Sequence, residues 1–237
     1  MASINTNVGA LVAAQSLSAT GRELSVTQNR VSTGLKVASA KDNGAIYAIA
    51  TNQRANLGAL DATINNLQRQ QSVNDVGLAA GETIIAALTE LKGLAAAIEN
   101  GTGDTAAYEA DYDALVAEIG TAITDAEFDG TAALTITAAG LALGTGAAAT
   151  EAIVQGALDT ALTELQTLGT TSKSLERQVT FNSKLQDALE TGIGNLVDAD
   201  LAKESARLQA LQTKQQLGVQ ALSIANGASQ VLLGLFR

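Results

Sequence analysis

A mainly α fold, a long antiparallel helical rod or coiled coil with a small β-hairpin, is what three features of this 237-residue sequence predict. Proline is absent, so no missing N–H or ring clash interrupts a helix. Apolar residues recur at steps of three, four and seven over long tracts, the rhythm of a coiled-coil seam. Hydrophobic residues make up 46% of the chain but aromatics only 3%. Ala and Leu dominate, which suits close helix–helix contact more than a bulky globular core. The 22 Gly act the other way. Each interior Gly costs roughly 1 kcal/mol against Ala, so such helices depend on packing for their order.

Charge divides the chain into three. From Gly93 to Ser172 there is no Lys or Arg, while twelve carboxylates fall there, from Glu99 to Glu164. The whole chain is -10, so the two flanks together are near neutral. Apolar-striped ends around an acidic centre suit a chain whose ends bury against partners while its middle faces water. The absence of Cys excludes a disulfide framework and thiolate metal sites. The absence of His removes the commonest acid–base group and imidazole ligand. A pI near 4.4 argues against nucleic-acid binding, which rests on phosphate neutralisation. The start, Met1 to Asn7, has neither the basic residues nor the apolar stretch of a secretory signal. No run of 18 or more apolar residues appears, so a soluble chain without a membrane span is expected.

The first helical tract runs from about Ile4 to Leu35, with Ile4, Val8, Leu11, Leu17, Leu24 and Val31 as its apolar points and Leu17, Leu24 and Val31 seven apart. It ends near Gly34. Ser39 then reads as the cap of a new helix, with Asp42 against its dipole. The second tract, Asn43 to Asn100, carries Leu57, Leu60, Ile64, Leu67, Leu78, Ile85 and Leu88 as its core positions. Gln71, Asn74 and Gly81 fall in the same frame, where polar residues weaken a seam but fix its register. Fully helical, this tract would span roughly 85 Å at 1.5 Å per residue. Asn100 to Asp104 is a turn by composition, and a third helix is expected from Thr105 to about Glu127. The alternation of Leu134 to Thr137, followed by Leu141 to Leu143, predicts a β-hairpin near 131–146. A fourth helix starts near Thr150 and is expected to fade at Gly192–Gly194. Asp198 or Asp200 caps a final helix with Leu201, Leu208, Leu211, Leu222, Leu232 and Phe236 on its seam. The second and fourth tracts, packed antiparallel, would bring the ends together. This divides the chain into an N-terminal helix (1–38), a helical rod (39–195) and a C-terminal helix (196–237).

Candidate chemistry is sparse. Glu109, Asp111 and Asp113 imitate the first ligands of a calcium loop. Ala114 stands where the sharp turn needs Gly, and Gly120 where a bidentate Glu is needed, so a solvated helix face explains them better. The Gly pairs at 101/103 and 192/194 lack the strand, helix and Lys-Ser/Thr of a phosphate loop. Ser and Thr hydroxyls have no His or Cys with which to build a triad. Asp198, Asp200 and Glu204 sit at a helix start, where capping accounts for them. No catalytic, cofactor or metal site is expected.

Arg30 to Asn43, read as R-V-S-T-G-L-K-V-A-S-A-K-D-N, resembles the bacterial flagellin signature R-L-S-S-G-L-R-I-x-S-A-K-D-D. Ile4 to Asn7 is similar to that family's opening. Ala221 to Asn226, Gln230 and Leu232 to Arg237 are similar to its close. Asp198 to Glu204 resembles the D-x-D-x-A-x-E start of its last helix, and Phe128-Asp129-Gly130 its F-N-G. The resemblance spans nearly the whole chain, with its motifs in order.

The resemblance implies a structural subunit that polymerises with itself into the extracellular flagellar filament used for swimming. Both termini would lie in an inner coiled coil, with a helical rod outside and little or no variable outer domain. It further implies type III export without a cleaved signal peptide, a chaperone for the C-terminal helix, and junction and cap proteins as partners. A hook–filament junction protein and a secreted coiled-coil effector are the alternatives. Where the family often shows L-Q-R-x-R-E-L, read by a Toll-like receptor, Leu88, Glu90, Lys92 and Leu94 stand here. Glu90 replaces the first Arg and Gly93 the acidic partner, so weak receptor recognition is expected.

Overall fold

Helices begin and end where side chains can satisfy the free backbone groups of their first and last turns. The computed structural model describes residues 7–101 and 103–235, with side chains described as far as residue 227. It divides into two compact units. One joins the residues up to Leu57 with those from Asp187 onward, and the other is Gly58–Gln186. Two helices carry residues of both units: α2 is Gly44–Glu99 and α5 is Glu151–Val197.

In the first unit, α1 spans Val8–Thr33. The Asn7 side chain accepts the Ala10 N–H at 3.0 Å and opens the helix. Gly34 closes it in the left-handed region at φ 72°, donating its N–H to the Arg30 carbonyl. The chain then turns against the α5–α6 junction. The Lys36 N–H reaches the Val197 carbonyl at 2.7 Å, and the Ala199 N–H reaches the Gly34 carbonyl at 2.8 Å.

Ser39 does not cap a helix. Its N–H and hydroxyl both donate to the Asp42 carboxylate, as does the Ala38 N–H, closing a tight turn. Asn43 is the cap instead, accepting the Ile46 N–H at 3.1 Å, and α2 starts at Gly44. Helix α6, Leu201–Leu235, is capped by Asp200, which accepts the Lys203 N–H.

Helices α1 and α6 pack along each other in antiparallel sense. Asn7 meets Ala225, Leu17 faces Gly218, and Arg30 meets Glu204. Among the covered positions of α1, Leu17, Thr20, Leu24, Thr27 and Val31 follow a 3–4 repeat. Among those of α6, Glu204, Leu208, Leu211, Gln215, Gly218, Leu222 and Ala225 do the same. A small core of Val37, Ala50, Ile193 and Val197 closes the unit, flanked by Leu35, Ile46, Tyr47 and Leu57. Helix α5 therefore runs through Gly192 and Gly194 rather than fading there. Burying Ile193 and Val197 is worth roughly 1.5–3 kcal/mol each, against roughly 1 kcal/mol lost per helical Gly.

The second unit pairs the later part of α2 with the earlier part of α5, again antiparallel. Asn74 bonds to Leu168, Gly81 abuts Leu165, and Lys92 bonds to Gln155. The core is Ile84, Leu88, Leu91 and Ala95 from α2 with Val154, Ala157, Ala161 and Leu168 from α5. Helix α3, Thr105–Asp125, adds Tyr112 and Ile119, and Asp104 caps it.

The hairpin lies at residues 127–132, not across 131–146. Strand β1, Glu127–Phe128, pairs antiparallel with β2, Thr131–Ala132, around Asp129 at φ 53° and Gly130 at φ 70°. Positive φ at both central residues is the two-residue turn that Asp-Gly favours and that matches strand twist. Leu134, Leu141 and Leu143 alternate for another reason: each is buried in the core of this unit. Thr137 caps a short helix, α4, at Ala138–Leu141, and a turn of 3₁₀-helix follows at Gly146–Ala148.

Candidate functional site

Residues that sequence periodicity assigns to a seam separate into two groups. Leu17, Leu24, Val31, Leu208, Leu211 and Leu222 are buried or half-buried within the α1–α6 pair. Val8 and Leu11, each 62% exposed, and Leu201 face outward. With them stand Val12, Val26, Leu217, Val219 and Ile224, the last 74% exposed. Thr20 and Thr27 fill seam positions that an apolar search passes over, and Thr20 satisfies its hydroxyl on the Ser16 carbonyl at 2.9 Å. Ile4, Phe236 and the side chain of Leu232 lie outside the described residues.

The rod positions also divide. Leu67 and Leu88 are buried, Leu78 and Ile85 flank the core of the second unit, and Leu60 and Ile64 are half-buried. Leu57 belongs to the first unit, against its small core. Within the second unit the buried residues of α2 are Leu67, Asn74, Gly77, Gly81, Ile84, Leu88, Leu91 and Ala95. They share Leu67, Asn74, Gly81 and Leu88 with the sequence frame and replace Leu78 and Ile85 by Gly77 and Ile84. Gly77 sits so close to the Ala133 carbonyl that an added Cβ would lie 2.5 Å from it. The larger neighbour, Leu78, is turned to the flank. Gly77 lies one residue off the sequence frame, where Leu78 stands, so periodicity passes over it, and a residue without a Cβ is what this close approach requires.

Of the receptor-like patch, Leu88 is fully buried and Leu94 half-buried. Lys92 is held by the Gln155 side chain at 2.8 Å and by Glu151 at 3.2 Å. Glu90 is exposed.

Polar groups of the first unit gather in a cleft of about 530 Å³ that includes Arg30, Lys36, Asp42, Lys203, Glu204 and Arg207. Arg30 pairs with Glu204 at 3.1 Å. The other carboxylate oxygen, Oε2, is buried without a hydrogen-bond partner. The Ser39 hydroxyl, then the Ser39 N–H, hold the Asp42 carboxyl below its ordinary value.

In the second unit the Tyr112 hydroxyl donates to the Leu143 carbonyl at 2.7 Å. Burial, then the nearby Asp113 charge, push its pKa up. Asp113 itself accepts the Gly146 N–H at 2.7 Å. Asp113 thus ties α3 to a loop. Among the described residues no three acidic groups converge as a metal site, and no helix is long and apolar enough to cross a membrane.

Paired long helices, outward apolar side chains on both terminal helices and carboxylates engaged as caps and loop ties define a helical assembly subunit. Residues 4–139 match the bacterial flagellin N-terminal helical region, and residues 152–236 the C-terminal one. The chain belongs to the bacterial flagellins, structural subunits of the filament used for motility. It is 48% identical to flagellin FljO of Caulobacter vibrioides, over 99% of this chain and 98% of that one. A flagellin of Brucella melitensis is 35% identical over the full length of both. Flagellin C of Rhizobium meliloti is 31% identical, also over both full lengths. The alignment with FljO covers 269 positions against 237 residues here, so that relative holds stretches this chain lacks.

Proposed function

We propose that this chain builds its filament by self-association of the terminal helices, residues 1–38 and 196–237, as an inner coiled coil, with residues 39–195 as the surrounding helical rod. The outward side chains Val8, Leu11, Val12, Leu217, Val219 and Ile224 carry this reading. A helix pair that already buries one seam gains nothing by leaving a second apolar set in water. Burying each of these is worth roughly 1.5–3 kcal/mol, and a neighbouring copy is the partner a homopolymer supplies. The chain acts mechanically, without catalysis, cofactor, nucleic acid or membrane. It reaches the filament by type III export with a chaperone on its C-terminal helix, and meets junction and cap proteins at the filament ends. With Glu90 in place of a base, the monomer signals weakly through the Toll-like receptor.

Deleting Leu217 to Arg237 tests the assembly reading. Circular dichroism of the shortened chain should still show helix, since the core of the second unit lies wholly within residues 58–186. Electron microscopy should show no filaments. Normal filaments from that deletion would remove the terminal helices from the assembly machinery.

A further inference from the structure

The second unit carries two surface features of opposite character that suit each other. On α5, Phe181 is 65% exposed, an unusual position for one of only three Phe in the chain. Arg177 and Lys184, four residues before and three after, share its face, and Leu185 one turn on is also exposed. Glu176 borders the same patch and leaves it one charge positive. Between α2 and α3 lies a groove of about 260 Å³. Leu94, Ala114 and Leu115 form its apolar floor, and Glu90, Asp111 and Glu118 its rim. Among the described residues neither the two bases nor the three acids form an ion pair.

The knob cannot enter the groove of its own chain. Gln186 bonds to Asp61 at 2.7 Å, which sets the Phe181 turn beside α2 near residues 61–67. Glu90 lies roughly 35 Å further along α2 at 1.5 Å per residue. We propose that Phe181, flanked by Arg177 and Lys184, inserts into the Glu90–Asp111–Glu118 groove of a second copy of this chain.

Because the two patches differ, the contact is heterologous. Each copy offers a knob to one neighbour and a groove to another, so the contact repeats from copy to copy, and in a filament, where the rotation does not close into a ring, it extends an open helical polymer. Apolar atoms meet at the centre and opposite charges at the rim, the arrangement that excludes water and fixes register. The inference rests on the filament reading above but is separable from it, since the terminal helices and this contact lie on different residues.

The test uses the full chain and its critical concentration for polymerisation, with monomer helicity followed by circular dichroism. Arg177→Glu with Lys184→Glu sets like charges against the rim and should raise the critical concentration about tenfold or more. Glu90→Lys with Glu118→Lys should do the same from the other side. Combining all four changes should restore it to within about threefold of the native value. The chain contains no Cys, so Glu118→Cys and Lys184→Cys give a second measurement by disulfide trapping under oxidation. Filaments of the double-Cys variant should yield a ladder beyond dimers, while each single-Cys variant alone should yield none. Either charge pair reversed without effect, a four-fold variant no better than the worse pair, or normal filaments without a ladder would overturn the contact and leave the filament reading intact. Failure of the native chain to polymerise at all would remove both.

Discussion

Asn74 of α2 donates its side-chain amide to the Leu168 carbonyl of α5 at 2.9 Å, inside the second unit. A carbonyl within a helix already serves its own ladder, so this second bond uses its remaining lone pair. The bond exists in one register of α2 against α5 and in no other.

Asn74→Leu and Asn74→Ala should therefore differ in kind. The Ala variant leaves a space at a position only 5% exposed and should lose about 1–2 kcal/mol in urea unfolding. The Leu variant should keep most of the stability but loosen the register. Broadened or doubled amide resonances around Leu168 would report it, and a single sharp set would count against a registering role.

Gly146 and Gly156 make a matched pair. A Cβ on Gly146 would lie 2.6 Å from the Glu109 Cα and 2.5 Å from its carbonyl oxygen, atoms of helix α3 backbone that cannot swing aside. Gly146→Ala should destabilise by about 1–3 kcal/mol, as overpacking does, and weaken the Gly146 N–H bond to Asp113. Gly156 is exposed on α5 with nothing within 4 Å of its Cβ position. Gly156→Ala should stabilise by about 0.5–1 kcal/mol through helix propensity. Thermal melts of the two variants should move in opposite directions.

Tyr112 makes the second unit alkali-sensitive. Its pKa is raised above the ordinary 10.0, first by burial. Above pH 10 the unfolded chain loses this proton while the folded chain keeps it, so stability falls as pH rises toward the folded value. Below pH 10 the contribution is fully present. Melts between pH 8 and about 11 should show a decline that Tyr112→Phe reduces. The same change leaves the Leu143 carbonyl unpaired and should cost about 1–2 kcal/mol at neutral pH. An unchanged alkaline slope in the variant would assign the effect to other groups.

Helix extents were legible where caps and breakers were strong. Gly34, Asp104 and Asp200 each mark a boundary by a side-chain or left-handed backbone effect that is local in sequence. The hairpin was misplaced because alternation at Leu134–Thr137 weighed more than Asp129-Gly130, although the turn dipeptide encodes the pairing. The seams were half legible. Leu17, Leu24 and Val31 carry one heptad position, but its companions Thr20 and Thr27 are polar, and the α2 companion Gly77 has no side chain. Which apolar residues face a partner within the chain and which face outward depends on the angle between helices, and that angle is tertiary. Val8 and Leu11 show this: they are apolar and periodic in the sequence, yet outside the α1–α6 contact.

The Arg30–Glu204 pair locks α1 to α6 at the end of their contact nearest the α5–α6 turn. The Glu204 side chain is 12% exposed and its Oε2 has no partner, while Arg30 is 33% exposed. Removing Arg30 alone strands a mostly buried carboxylate, whereas removing both charges strands nothing. Arg30→Met should therefore destabilise the chain by about 2–3 kcal/mol, less than a fully buried pair because solvent reaches the guanidinium. Arg30→Met combined with Glu204→Met should be within about 1 kcal/mol of the native chain, since two apolar side chains then line the same contact. The two single variants and the double, compared by urea unfolding, form a cycle whose coupling energy is read directly. Lys36, Lys203 and Arg207 line the same cleft. If one of them swings onto Glu204 in the Arg30→Met chain, that variant should recover at low salt and weaken at high salt, as an exposed replacement pair is screened. A single variant as stable as the double at every salt concentration would show that the buried carboxylate does not need Arg30.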